Sequence, residues 1–218
     1  MVDFEQARAR MLESQLRAGG ITDSAILAQM RRVPRELFVP AERRALAYAD
    51  DIQWFDGTGP RRFMAAPVTL AKLLKLGDIE ATHSVLDVGT ATGYSTAVVA
   101  GLCASVCGWE PDEALASTAR QNLATLVIGN AEIVSGGLDS IANGQFDVVL
   151  VQGAMDQVPD RLLSAVSDGG RLVALIRKGR VCVAHVFTRA GGQIKARAEF
   201  NAFLPALFPA VSKEEFVF

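Results

Sequence analysis

Apolar positions recur along the chain with two periods, one helical and one extended. FEQARARMLESQLRAGG sets Ala7, Met11, Leu12 and Leu16 near helical spacing, with Gly19 and Gly20 as a stop. A second helix is predicted from Thr22 as N-cap, with Ile26, Leu27 and Met30 on its apolar face, ending before Pro34. A third helical piece follows Pro40. The pattern then breaks: DDIQWFDGTGP, residues 50–60, reads as a loop carrying Trp54 and Phe55. Pro67 opens another helix through Leu74, closed by Gly77.

Beyond this point strand and helix take turns. Strands are predicted at Ser84–Asp87, Ser105–Glu110, Ala131–Val134, Asp147–Val151 and RLVALI; helices begin at Tyr94 and span Asp112–Leu126 and Val158–Val166. VCVAHVFT and IKARAEF alternate with period two around RAGGQ, a hairpin signal. The fold class is therefore α/β: a doubly wound, mostly parallel, Rossmann-like sheet with an antiparallel edge hairpin and an N-terminal helical cap. Residues 1–60 are expected to form the cap and loop, and 61–218 the main domain, as one structural unit.

Composition narrows the function. Half of the 218 residues are hydrophobic, enough for a real core. A formal charge of -2 with mixed signs argues against nucleic acid as a partner. Cys103, Cys107 and Cys182 lack the spacing of a metal site or a disulfide framework, so they are expected to be reduced and no metal is predicted. The N-terminal MVDFEQARAR has no apolar signal region, and no stretch approaches ~18 apolar residues. The expectation is a cytoplasmic chain without a membrane partner.

VLDVGTATGYS stands where the first strand of an open α/β sheet turns into its helix, the usual ligand position. Its spacing, Asp87, Gly89, Ala91, Gly93, differs from the dinucleotide fingerprint, and no Walker lysine follows. The next strand ends in Glu110, where a carboxylate can accept from both hydroxyls of a ribose. An adenosine-bearing ligand without a pyrophosphate fits, and S-adenosyl-L-methionine is such a molecule. The candidate cofactor residues here are Asp87, Gly89, Thr90, Ala91, Gly93, Glu110 and Pro111. Asp87 either places the amino-acid end of the ligand or caps the turn amides. The methyl of Ala91 is expected only to narrow the loop slightly.

From about Arg8 to Leu207 the chain resembles the protein-L-isoaspartate O-methyltransferases. RARMLESQLRAGGITDSAILAQMRRVPRELFVP is similar to that family's opening helices, and LDVGTATGY to its cofactor loop. FDVVLVQGAMDQVPDRLLSAVSDGGRLVALI is similar to its next strand, helix and strand, and FNAFLPAL to its closing segment. The resemblance implies transfer of a methyl group from S-adenosylmethionine to the free carboxylate of an isoaspartyl residue in damaged protein. It adds Gly136, Gly137 and Gln152 to the cofactor set. The partner it implies is a protein or peptide carrying a carboxylate.

Three positions depart from the family pattern. Its Ile-Ser-Gln-Pro substrate segment is Met64-Ala65-Ala66-Pro67 here, so the serine hydroxyl near the methyl acceptor is missing. Its adenine-binding acid in Gly-Asp-Gly is replaced by Gly136, and Gln152-Gly153-Ala154 stands where a threonine is usual. Arg61 or Arg62 could bind an acidic acceptor in place of the lost serine, or be solvated. Isoaspartyl methylation, methylation of another acceptor and a non-catalytic cofactor-binding role all stay open. His83 and His185 suggest no catalytic pair. The 50–60 loop and the apolar tail with Phe208, Phe216, Val217 and Phe218 are candidates for lids or for plain packing.

Overall fold

The computed structural model describes residues 2–55, 61–143 and 146–208. Asp3 caps α1 (Phe4–Met11) by accepting from the Gln6 amide, and the helix continues in π form over Leu12–Arg17. α2 (Ser24–Arg32) is capped by Asp23 rather than Thr22. The Asp23 carboxylate accepts from the amides of Ala25 and Ile26, where a negative charge also suits the helix dipole. Short 3-10 turns, Arg35–Phe38 and Ala41–Leu46, follow Pro34 and Pro40.

The expected loop contains a strand. β1 (Gln53–Phe55) pairs antiparallel with β2 (Arg62–Met64), setting Trp54 opposite Phe63. Three residues are too few to display a period, so the hydrophobic pattern does not mark this strand. Residues 56–60 of the expected loop lie outside the described residues. α3 (Pro67–Gly77) has Pro at its first position and ends at Asp78 in the left-handed region.

The remaining strands are β3 (Ser84–Val88), β4 (Ser105–Glu110), β5 (Ala131–Ser135), β6 (Phe146–Met155), β7 (Val166–Lys178), β8 (Val181–Ala190) and β9 (Gln193–Asn201). They form one sheet in the order β5-β4-β3-β6-β7-β8-β9. Its first five members are parallel, and β8 and β9 are antiparallel, as the alternation predicted. Gly191 and Gly192, at φ +57° and +74°, make the β8–β9 turn. α4 (Tyr94–Ala100), α5 (Glu113–Thr125) and α6 (Asp160–Ala165) link the parallel strands.

One buried cluster runs from Met11 of the cap through α3, α4 and α5 to Leu204, and a second fills the other sheet face beneath α6. The strand order reverses at β3, with β4 and β5 on one side and β6 on the other. Ligands of open α/β sheets bind at the carboxyl ends of strands around such a point. Among the described residues no helix is long and apolar enough to cross a membrane, and no group of acids, histidines and cysteines is placed to hold a metal. Burial raises the Cys103 thiol to about 11 and the Cys107 thiol to about 12, so both stay protonated near neutrality.

Candidate cofactor and acceptor site

β3 delivers Asp87 to the bottom of the site, fully buried. Its carboxylate accepts from Ser95 Oγ at 2.6 Å, Thr96 Oγ1 at 2.7 Å and Gln152 Nε2 at 2.8 Å. Thr96 spends its one hydrogen on Asp87, so Thr90 Oγ1 is the donor in the 2.5 Å contact between the two threonines. Burial raises the Asp87 pKa, and the surrounding donors partly offset the shift. Asp87 thus organises the turn from below through side-chain donors, while the amides of Gly89 and Thr90 go to Trp109 O and that of Ala91 to Glu110, so the acid does not cap the turn amides as foreseen. Ser95 and Thr96 were missed because their neighbours on α4 are apolar.

The turn itself needs positive φ at three positions: Gly89 at +84°, Ala91 at +50° and Gly93 at +93°. Ala91 has its amide turned toward Glu110 Oε2, 2.8 Å away. The consequence of its methyl is therefore backbone strain of about 1–2 kcal/mol in a left-handed conformation, rather than a narrower loop. Thr92 Oγ1 donates to the carbonyl of Phe38 at 2.6 Å, tying the turn to the cap.

Glu110 closes β4 with no exposure at all. Arg62 from β2 grips it bidentately, Nε to Oε1 at 2.9 Å and Nη2 to Oε2 at 2.8 Å. The amides of Ala91 and Asp112 donate to the same two oxygens, the latter at 3.2 Å. A carboxylate offers about four acceptor positions, so the chain itself uses all of them. Arg62, foreseen as an acceptor-binding group, is instead 4% exposed and committed to the acid expected to hold the ribose. Arg61 is exposed and lies over the Trp54 ring at 4.6 Å.

The tail completes the enclosure. Ala154 N–H donates to Pro205 O, and Leu207 N–H donates to Ala154 O, both at 2.9 Å, so the segment runs beside the end of β6. A Cβ placed on Gly89 would lie 2.6 Å from Leu207 Cδ1 and 3.0 Å from Arg62 Nη2. Phe208 packs near the Trp109 ring, centroids 6.2 Å apart, while Phe216, Val217 and Phe218 lie outside the described residues. What space is left between Phe63, Ala65, Tyr94, Gly89 and Gln152 is a cavity of about 10 Å³. Small-molecule sites usually measure about 300–1,000 Å³. In this conformation Arg62 and Leu207 lie against Glu110 and Gly89, the two positions expected to hold S-adenosylmethionine, and leave little room between them.

The other predicted residues fall around this centre. Gly136, at φ +111°, and Gly137 are exposed beyond the end of β5, and Gly137 O accepts from Trp109 Nε1 at 3.3 Å. Any other residue at 136 would be strained there, so an acid cannot simply be restored at that backbone. Pro111 is exposed beside Glu110. In the segment expected to meet the acceptor, Ala65 is buried and Ala66 caps α3 before Pro67, and neither offers a polar side-chain atom. Arg35, which sequence reasoning passed over, is fully buried and donates through Nη2 to Ala65 O and through Nε to Ala47 O, both at 2.7 Å. His83 and His185 make local backbone contacts at Glu80 and Val183.

A family model described as protein-L-isoaspartate (D-aspartate) O-methyltransferase matches residues 6–213. The chain belongs to this family. A protein-L-isoaspartate O-methyltransferase of Bradyrhizobium is 33% identical over 209 residues, covering 94% of this chain and 95% of its relative. One from Methylorubrum populi is 39% identical over 170 residues, 78% of this chain and 79% of that one. A solved protein-L-isoaspartate O-methyltransferase from Plasmodium falciparum, in complex with S-adenosyl-L-homocysteine, superposes with TM-score 0.78. It is 20% identical and covers 95% of this chain and 99% of its own, a likeness of fold. The protein-L-isoaspartate O-methyltransferase family uses S-adenosyl-L-methionine.

Proposed function

We propose that the chain is an S-adenosyl-L-methionine-dependent carboxyl O-methyltransferase that acts in the cytoplasm on isoaspartyl residues of proteins. The observation that carries this reading is the family match over residues 6–213. The turn from Gly89 to Gly93 beside Glu110, at the reversal in strand order, supports it. A carboxylate acceptor is already ionised near neutrality, so the protein's task is to exclude water and align it rather than to remove a proton. The burial of Phe63, Met64 and Ala65 suits the first requirement.

Incubating the chain with methyl-labelled cofactor and an isoaspartyl peptide tests the proposal. A base-labile methyl ester on the peptide is expected, and none after long incubation would rule the reaction out. A second reading, transfer to a different acceptor, is favoured by the absence of any side-chain donor at Ala65 and Ala66. It would appear as labelled product from other acceptors and none from the isoaspartyl peptide.

A further inference from the structure

Glu110 and the turn at Gly89 form the part of the site that recognises the cofactor, and both are already engaged by the chain. The Arg62 guanidinium takes both oxygens of Glu110 and also reaches the Leu207 carbonyl at 3.5 Å. Leu207 meets Gly89 and Gly153 closely: a Cβ on Gly153 would lie 2.7 Å from Leu207 Cβ. Any ligand that uses Glu110 must first send Arg62 elsewhere. A buried guanidinium does not leave its partner for nothing, since it would give up a paired, bidentate contact.

The place it can go is set by its strand. Arg62 begins β2, whose last residue, Met64, opens the segment Met64-Ala65-Ala66-Pro67. That segment contributes no side-chain donor, so a carboxylate brought to it finds no side-chain partner within it. A guanidinium released from Glu110 would be at hand to supply a bidentate one. We propose that Arg62 is a displaceable occupant of the cofactor position, and that an acceptor carboxylate is what draws it off Glu110. Acceptor and cofactor then bind with positive coupling, each favouring the same open arrangement. This rests on the cofactor assignment made above.

Calorimetry with S-adenosyl-L-homocysteine tests the exchange directly. Wild-type protein alone is expected to bind weakly, because affinity falls by the fraction of open molecules, about 100-fold if one in a hundred is open. Saturating isoaspartyl peptide should tighten it by at least about 5-fold, the low end of usual couplings, and the same peptide with its side-chain carboxyl amidated should not. Arg62→Ala should bind tightly with or without peptide. Since that change strands Glu110, Leu207→Ala serves as a second variant with the ion pair intact. It should bind more tightly than wild type yet still respond to peptide. Hydrogen exchange of the Ala91 amide, which donates to Glu110, gives a readout free of turnover; it should change on adding peptide with the homologue in the wild type.

Equal affinity of wild type and Arg62→Ala would overturn the proposal, as would a wild type indifferent to the peptide. Absence of homologue binding in every folded variant would overturn it together with the cofactor assignment. Coupled binding with no methyl ester formed would leave the exchange standing and remove the methyltransferase reading alone.

Discussion

Gln152 Nε2 donates to Asp87 Oδ1 at 2.8 Å, joining the carboxyl end of β6 to that of β3 across the reversal in strand order. Both side chains are buried, so water does not replace a lost donor cheaply. Gln152→Leu should cost about 1.5–3 kcal/mol in urea unfolding, the range for a hydrogen bond to a charged group. In an Asp87→Asn background the cost should shrink, giving a non-zero coupling in the double-mutant cycle. Strict additivity would mean that the two residues do not act on one another.

The pH dependence of stability should carry opposite contributions from two aspartates. Asp87 has a raised folded pKa, with burial as the main cause, so its contribution is fully present below the unfolded value and is lost as pH rises through the folded one. Asp147 has a lowered pKa, chiefly through the Ser84 amide, so its contribution is present above the unfolded value and lost as pH falls through the folded one. Between neutrality and the ordinary carboxylate range, acidification should therefore relieve strain at Asp87 before it harms Asp147. Unfolding measured across that window should show a stabilising component on acidification that Asp87→Asn abolishes.

The end of α5 carries a residue that its backbone does not suit. Val127 N–H donates to Ala124 O at 3.0 Å and Ile128 N–H to Leu123 O at 3.1 Å, the paired bonds of a Schellman cap. Val127, the first residue past the helix cap, sits at φ +54°, normally a glycine position, yet it is β-branched. At 89% exposure Val127 gains nothing from packing in return. Val127→Gly should raise stability by about 1 kcal/mol, read as a higher urea midpoint at unchanged slope. A lower midpoint would show that the valine holds the cap by other means.

Periodicity carried far in this chain because most elements are regular and half-buried. β4 begins and ends where the SVCGWE run does, and Asp112 and Pro67 mark their helices as capping rules require. The turn at Gly89 and the acid at Glu110 were legible for the same reason, since each stands at a strand end. Arg62 on Glu110 was not. The two residues are 48 positions apart, and nothing local distinguishes a buried guanidinium from a solvated one. The one available signal was an arginine running directly into the apolar FMAAP stretch, a place where a solvated charge is out of pattern. Leu207 over Gly89 was hidden likewise, because FLPAL announces burial without saying against what.

Arg35 bears on both halves of the site through a contact of the same long-range kind. Its guanidinium lies over the Tyr94 ring at 4.7 Å, while Nε and Nη2 hold the carbonyls of Ala47 and Ala65. One planar cation thereby fixes the cap, the first residue of α4 and the backbone at Ala65 relative to each other. Burial lowers its pKa, and Tyr94, Tyr48 and Asp50 work against that shift. Lysine offers a single point charge and no rigid fork, so Arg35→Lys cannot serve both carbonyls in this geometry. The substitution should cost about 2–4 kcal/mol, as expected for breaking a buried polar network. It should also raise hydrogen exchange at the Leu70 amide, which donates to Ala66 O. A stability loss without that local change would confine Arg35 to the cap and detach it from the acceptor side.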